Sequence, residues 1–205
     1  MERVRGQRPD HLIRQGWNQA FHFKWPEDIN LAISNELDKE QIPSQFQEIF
    51  SRFLSLGFIQ EYGNQCILMS SVLRRILRLH GFEAYARQYI LYWEKQEKGQ
   101  ELHIGGFDNM AETGEIDAHM AVAVNGYILD FSAKPIMERF GATAPQAFIA
   151  LDDSKFNNDY QDFGLHGQAC WTPARPLNPI IKHWRYNQKD LELDLSKEYF
   201  AKYQF

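Results

Sequence analysis

Cys66, His119 and Asp130 are residue types that together perform nucleophilic acyl chemistry: a thiol to attack a carbonyl, an imidazole to move the proton, a carboxylate to orient the ring. Their surroundings suit those roles. A helix starting at Asn64, with that side chain as N-cap, puts Cys66 in its first turn, where unpaired N–H groups and the positive end of the helix dipole lower a thiol pKa. The same N–H groups suit the oxyanion of a tetrahedral intermediate. His119 and Asp130 flank Asn125-Gly126, the strongest short-range hairpin signal. With a two-residue turn there, Val124 faces Tyr127, Val122 faces Leu129, Ala121 faces Asp130 and His119 faces Ser132. His119 and Asp130 then share a face as diagonal neighbours, with Cβ atoms about 7 to 8 Å apart. Spacing alone does not bring the thiol to that pair.

The elements that must position these groups are read from periodicity. Ile29, Ala32, Ile33 and Leu37 recur at helical spacing after Pro26, which predicts a helix over 26–40, and Phe46, Ile49, Phe50, Phe53 and Leu54 predict a second from Pro43 to Leu56, stopped by Gly57. The run from Asn64 to His80 is apolar at Ile67, Leu68, Met69, Val72, Leu73, Ile76, Leu77 and Leu79. It carries Arg74, Arg75 and Arg78 on its remaining face, ends at Gly81 and predicts a well-buried helix. Glu83 to Trp93 reads as a strand, and 94–117 as a polar loop or extended hairpin. His103, Gly105 and Gly106 in that stretch suggest either an active-site lid or an ordinary turn. The other hairpin face, Met120, Val122, Val124, Tyr127, Leu129 and Phe131, is apolar, and the Cys66 helix is its natural cover. Beyond Ala133, Pro145, Pro173, Pro176 and Pro179 imply irregular chain, with one strand near 146–151 and a terminal helix from about Lys189. Leu191, Leu195, Tyr199 and Phe200 give that helix an apolar face for core packing.

Three segments, GNQCILMSSVLRRILRLHGFEAYAR around Cys66, AHMAVAVNG around His119 and YILDFSA around Asp130, resemble in this order the core of the transglutaminase-like superfamily. That superfamily shares its Cys-helix, His-strand, Asp-strand arrangement with papain-like peptidases and arylamine N-acetyltransferases. The resemblance implies an α+β fold with a papain-like or transglutaminase-like core, the nucleophile helix packed on an antiparallel sheet and extra N-terminal helices. It spans about 60–133 of a single expected domain, 1–205, with a helical portion at 26–57. It implies Cys66 as nucleophile, His119 as general acid and base, and Asp130 as orienting group. Gln60, six residues before Cys66, resembles the oxyanion-hole glutamine of the papain-like peptidases. The commonest transglutaminase pattern has a Trp near both the nucleophile and the His, where this chain has Ile67 and Met120. The expected activity is a thiol-dependent hydrolysis or transfer of an amide or thioester without a cofactor, on a peptide, protein or small acyl substrate. The rival is a non-catalytic binding or scaffolding member of the same fold.

Composition bounds the alternatives. The chain has 205 residues, 44% of them hydrophobic and 14% aromatic, enough for a sizeable core. Its 22 basic and 27 acidic residues are interspersed, with a net charge of −5, which gives no electrostatic case for nucleic acid or an anionic membrane. Residues 1–10 lack a signal-peptide core and no run suits a membrane span, so a cytoplasmic location is expected. The two cysteines, Cys66 and Cys170, read as free thiols in a reducing compartment. His166, Cys170 and His183 match no established zinc spacing, so no metal is expected. Taken singly, Cys66 is a small buried hydrophobe, His119 a core histidine and Asp130 a strand-end acid; order and shared face are what argue for chemistry.

Overall fold

The computed structural model describes residues 29–203, apart from 59–60, 62–64, 96–98, 106–118, 140, 142, 153–158 and 175–178. The hairpin is the seed of its sheet. Asn125 and Gly126 both take positive φ, 48° and 84°, the backbone a two-residue turn of right-twisting strands demands. They join β4 (His119–Val124) to β5 (Tyr127–Asp130) in the register Val122 to Leu129 and Val124 to Tyr127. β2 (Ala84–Lys95) is long enough to pair along one edge with β4 through its first half and with β3 (Gln100–Ile104) through its second. β1 (Leu31–Ile33), β6 (Ala147–Leu151), β7 (Gln161–Asp162) and β8 (Gln168–Pro173) complete the order β1-β6-β5-β4-β2-β8-β7. Every described pair is antiparallel except β1 with β6.

The two ends of the sheet come back together. Asn35 N–H donates to Asp162 O at 2.8 Å, and the Gln161 amide both accepts from Leu151 N–H at 2.8 Å and donates to Leu151 O at 3.0 Å. The sheet therefore curls, with an inner and an outer face. Alternation along each strand fills both: Tyr89, Leu91, Ala121, Ile128, Phe148 and Trp171 face inward, while Ala84, Val122, Val124, Leu129 and Ile149 face outward onto helices. Those helices are α1 (Ser44–Leu54), α2 (Cys66–Leu79) and α5 (Lys189–Lys202), with α4 (Pro179–Asn187) against α2 and α5. A short α3 (Ala133–Arg139) follows β5. The architecture is mixed α+β. Among the described residues no helix is long and apolar enough to cross a membrane.

Two expectations change. The helix expected over 26–40 is, within its described part, β1 and a 3-10 turn at Lys39–Gln41. The apolar residues there alternate: Ile29, Leu31 and Ile33 pack on the outer core and Ala32 enters the inner cluster, a period of two that a parallel partner in β6 selects over 3.6. The stretch beyond Ala133, expected to be largely irregular, contains α3, β7, β8 and α4. Pro173 is the last residue of β8 and Pro179 the first of α4, positions where a missing N–H costs little.

Candidate active site

Cys66 is the first residue of α2, and its sulfur is bonded by the backbone N–H groups of Cys66 and Ile67. The N-cap is Gln65 rather than Asn64, and Gln65 makes no side-chain capping bond; its Oε1 instead accepts from Gln188 Nε2 at 3.2 Å, tying the helix start to the joint between α4 and α5. Asn64 itself lies outside the described residues, as does Gln60. Around the thiol, Ile67, Ala86, Met120 and Ile181 form an apolar cluster that leaves Cys66 8% exposed.

That enclosure overturns one expectation. Burial pushes the Cys66 thiol up, from 9.0 to about 12, and the Asp130 charge adds to the rise, against hydrogen bonds from the Met120, Ile67 and Cys66 backbones that lower it. Helix-end stabilisation is present but loses to desolvation, so the sulfur is an uncharged thiol at neutral pH. The sign has a consequence for stability. A fold that holds the proton more tightly than the unfolded chain keeps this contribution below about pH 9 and loses it as pH rises toward 12. Cys66→Ala is therefore expected to lose less stability than the native chain between pH 9 and 11 in urea unfolding, by about 2 kcal/mol. Buried Tyr89 and Tyr199, whose hydroxyls burial also pushes up, leave part of the alkaline loss in place.

His119 and Asp130 are both fully buried and meet, with His119 Nε2 2.5 Å from Asp130 Oδ2. The carboxylate is held from every side. Trp171 Nε1–H donates to the same Oδ2 at 2.7 Å, and Ser132 N–H donates to Oδ1 at 3.0 Å. Burial pushes the Asp130 carboxyl up, but the His119 charge and hydrogen bond, the Trp171 indole and the Ser132 N–H more than offset it and hold it below its usual value. An ionised carboxylate accepts, so Nε2 carries a proton, and in the uncharged form of the ring Nδ1 presents the lone pair. That Nδ1 is buried and makes no hydrogen bond with any described residue.

The thiol and the imidazole approach the same two residues of β4 from different directions. Met120 points outward with Cys66, whereas His119 precedes it and lies on the inner-face side with Ala121. The β4–β5 ladder ends at Val122 and Leu129, which frees the Met120 backbone from strand pairing on that edge. Its N–H turns to the Cys66 sulfur, and its carbonyl accepts from Ser70 Oγ at 2.9 Å and from Ser132 Oγ at 3.1 Å. Ser132 Oγ also lies 3.2 Å from Asp130 Oδ1 and has one proton to share between the two. The structure thus joins His119 to Asp130 and brings Cys66 to the neighbouring peptide, without a thiol–imidazole hydrogen bond.

Trp171, Ser132 and Ser70 are site residues that sequence reasoning missed. Ser132 lay within the YILDFSA segment, and the alternation of Ala169 and Trp171 was a weak strand signal overridden by the nearby prolines. The other candidates stand apart. Cys170 is buried on β8 with Sγ 3.7 Å from Thr172 Oγ1, His166 sits in a 3-10 turn, and His183 on α4 contacts Asn187. Among the described residues, no three His, Cys, Asp or Glu side chains gather as a metal site.

No family model matches the chain, and no curated protein matches it. The crystal structure of a genomics target superposes on it with a TM-score of 0.49 at 15% identity, covering 74% of this chain and 76% of that one. So slight a likeness carries no assignment.

Proposed function

We propose that the protein is a thiol-dependent acyl-transfer enzyme in which Cys66 is the nucleophile, His119 the proton carrier and Asp130 the orienting group, on a core of the transglutaminase-like and papain-like kind. One observation carries the reading: a buried imidazole, fixed through Nε2 by a fully engaged carboxylate, makes no hydrogen bond with any described residue through Nδ1, and the thiol at a helix start is bonded by the backbone of the next residue of the same strand, Met120. Leaving a buried acceptor empty costs about 1 to 3 kcal/mol, and such sites persist where they have work to do.

The raised thiol pKa decides the order of events. Instead of a standing thiolate–imidazolium pair, the S–H bond breaks as sulfur attacks, with the proton passing to Nδ1 while the carbonyl becomes an oxyanion facing the first N–H groups of α2. The thiol and ring close their remaining separation in the substrate complex, as catalytic contacts often do. Collapse of the intermediate expels the amine or thiol of the substrate, which takes the proton from His119, and leaves an acyl-enzyme thioester. Water or an amine then attacks, His119 accepts its proton, and the Cys66 thiol is restored. Peptide, protein or small acyl substrates fit this chemistry.

A non-catalytic member of the same fold is favoured by one observation, the enclosure of the thiol that raises its pKa. A burst titration separates the two. Mixing the protein with a chromogenic thioester is expected to release one leaving group per chain rapidly, followed by slower turnover that an added amine accelerates if transfer operates. Release of the leaving group with no burst, equal in the native chain and in Cys66→Ala, favours the non-catalytic reading.

A further inference from the structure

The junction between β3 and β4 holds an unusually close backbone approach. Both strands pair with the same edge of β2, end to end: Ile104 lies opposite Leu91 and His119 opposite Tyr89. Gly105, at the end of β3, fills the space between them with φ of +77°. A Cβ placed there would lie 2.7 Å from His119 N, 2.8 Å from His119 Cβ and 3.0 Å from Tyr89 O. None of these is the end of a flexible side chain. Two are backbone atoms of a paired ladder and the third is fixed to the backbone, so a side chain at 105 is relieved only by moving a strand.

We infer that Gly105 is a positioning residue for His119, its missing side chain being what lets β4 begin where the imidazole reaches Asp130. The inference rests on the proposed role of His119 and extends it to a residue with no side chain of its own to react. Which side gives way follows from the contacts. β2 is held by β4 on one edge and β8 on the other, so Tyr89 O cannot retreat. Asp130 is pinned by Trp171 and Ser132 and cannot follow a displaced ring. His119 is the first residue of its strand, with its Nε2 at 2.5 Å from the carboxylate, and is the part free to shift. Contacts of 2.7 and 2.8 Å lie well inside van der Waals range, and the shift that relieves them is spent on that contact and on the aim of Nδ1. Displacements approaching 1 Å cost about 100-fold in catalysis.

The test needs to separate this clash from the ordinary penalty of a side chain at positive φ, and the protein contains its own control. Gly141 has φ of +74° with nothing within 4 Å of the added Cβ. Gly105→Ala and Gly141→Ala are compared in the full chain by thermal melting, by the acylation burst, and by the low-field proton resonance of the His119–Asp130 hydrogen bond. Both variants are expected to pay the conformational penalty, but only Gly105→Ala is expected to lose or shift the resonance and to slow acylation by about 100-fold. Should Gly105→Ala fail to fold in buffer while Gly141→Ala folds, both are read in a stabilising osmolyte, where a native low-field resonance in Gly105→Ala contradicts the inference and its loss there alone supports it. A Gly105→Ala protein with the native resonance and burst overturns it. If the native chain shows no burst at all, the proposed activity fails, while the resonance still decides whether Gly105 positions His119.

Discussion

Acylation of Cys66 is expected to slow by about 10³- to 10⁴-fold in His119→Gln, in a protein that remains folded. The size follows from the thiol pKa of about 12. With almost no thiolate present at neutral pH, attack depends on a base that removes the proton during the reaction, and His119, which precedes the Met120 whose backbone bonds the sulfur, has a buried Nδ1 that makes no hydrogen bond with any described residue. Glutamine keeps a donor to offer Asp130 but supplies no base. Alanine is the harsher change, because it strips a partner from a fully buried carboxylate, and breaking such a pair costs about 3 to 5 kcal/mol. Single-turnover burst rates together with melting curves for both variants separate lost chemistry from lost fold.

Asp130→Asn is expected to slow the same step by about 10²- to 10⁴-fold through the tautomer. The carboxylate accepts from His119 Nε2, Trp171 Nε1 and Ser132 N. An asparagine presents one oxygen and one NH₂ group in that space. Because the ring and Trp171 share Oδ2, an NH₂ in that place faces the ring and selects a lone pair on Nε2, which moves the imidazole proton to Nδ1, where it blocks acceptance from the thiol; an oxygen in that place keeps the tautomer and gives the smaller loss. Stability should respond to pH as well. A carboxyl held below its usual value contributes stability above that value and loses it as pH falls through the lowered one, so the native chain carries an acid loss that Asp130→Asn lacks. Nitrogen NMR of the His119 ring reads the tautomer directly, and urea unfolding at descending pH reads the linkage.

The His–Asp contact was legible because the hairpin is local. Asn125-Gly126 fixes a turn, the turn fixes register, and register puts His119 and Asp130 on one face. The same locality made the Cys66 helix readable, since apolar residues recurring at helical spacing along fourteen positions need no knowledge of the rest of the chain. Properties set by distant segments were not legible. Leu31–Ile33 pairs with β6 more than a hundred residues away, and only that partner turns an apparently helical pattern into a strand. Trp171 reaches Asp130 across 41 positions through β8, which the prolines disguised. The thiol pKa was misjudged for the same reason: the helix end that lowers it is local, whereas the enclosure that raises it comes from Ala86, Met120 and Ile181 on three other elements. Local signals gave the groups their directions, and long-range packing set their energies.

The most direct measurement of the central claim is peptide mapping of the acyl group after brief exposure to a thioester, in the native chain and in His119→Gln side by side. One acyl group per native chain is expected, carried on Cys66 and not on Cys170, which is also buried, with near-complete absence from the variant over the same interval. Comparable labelling of both cysteines, or acylation of Cys66 that proceeds unchanged without His119, contradicts it.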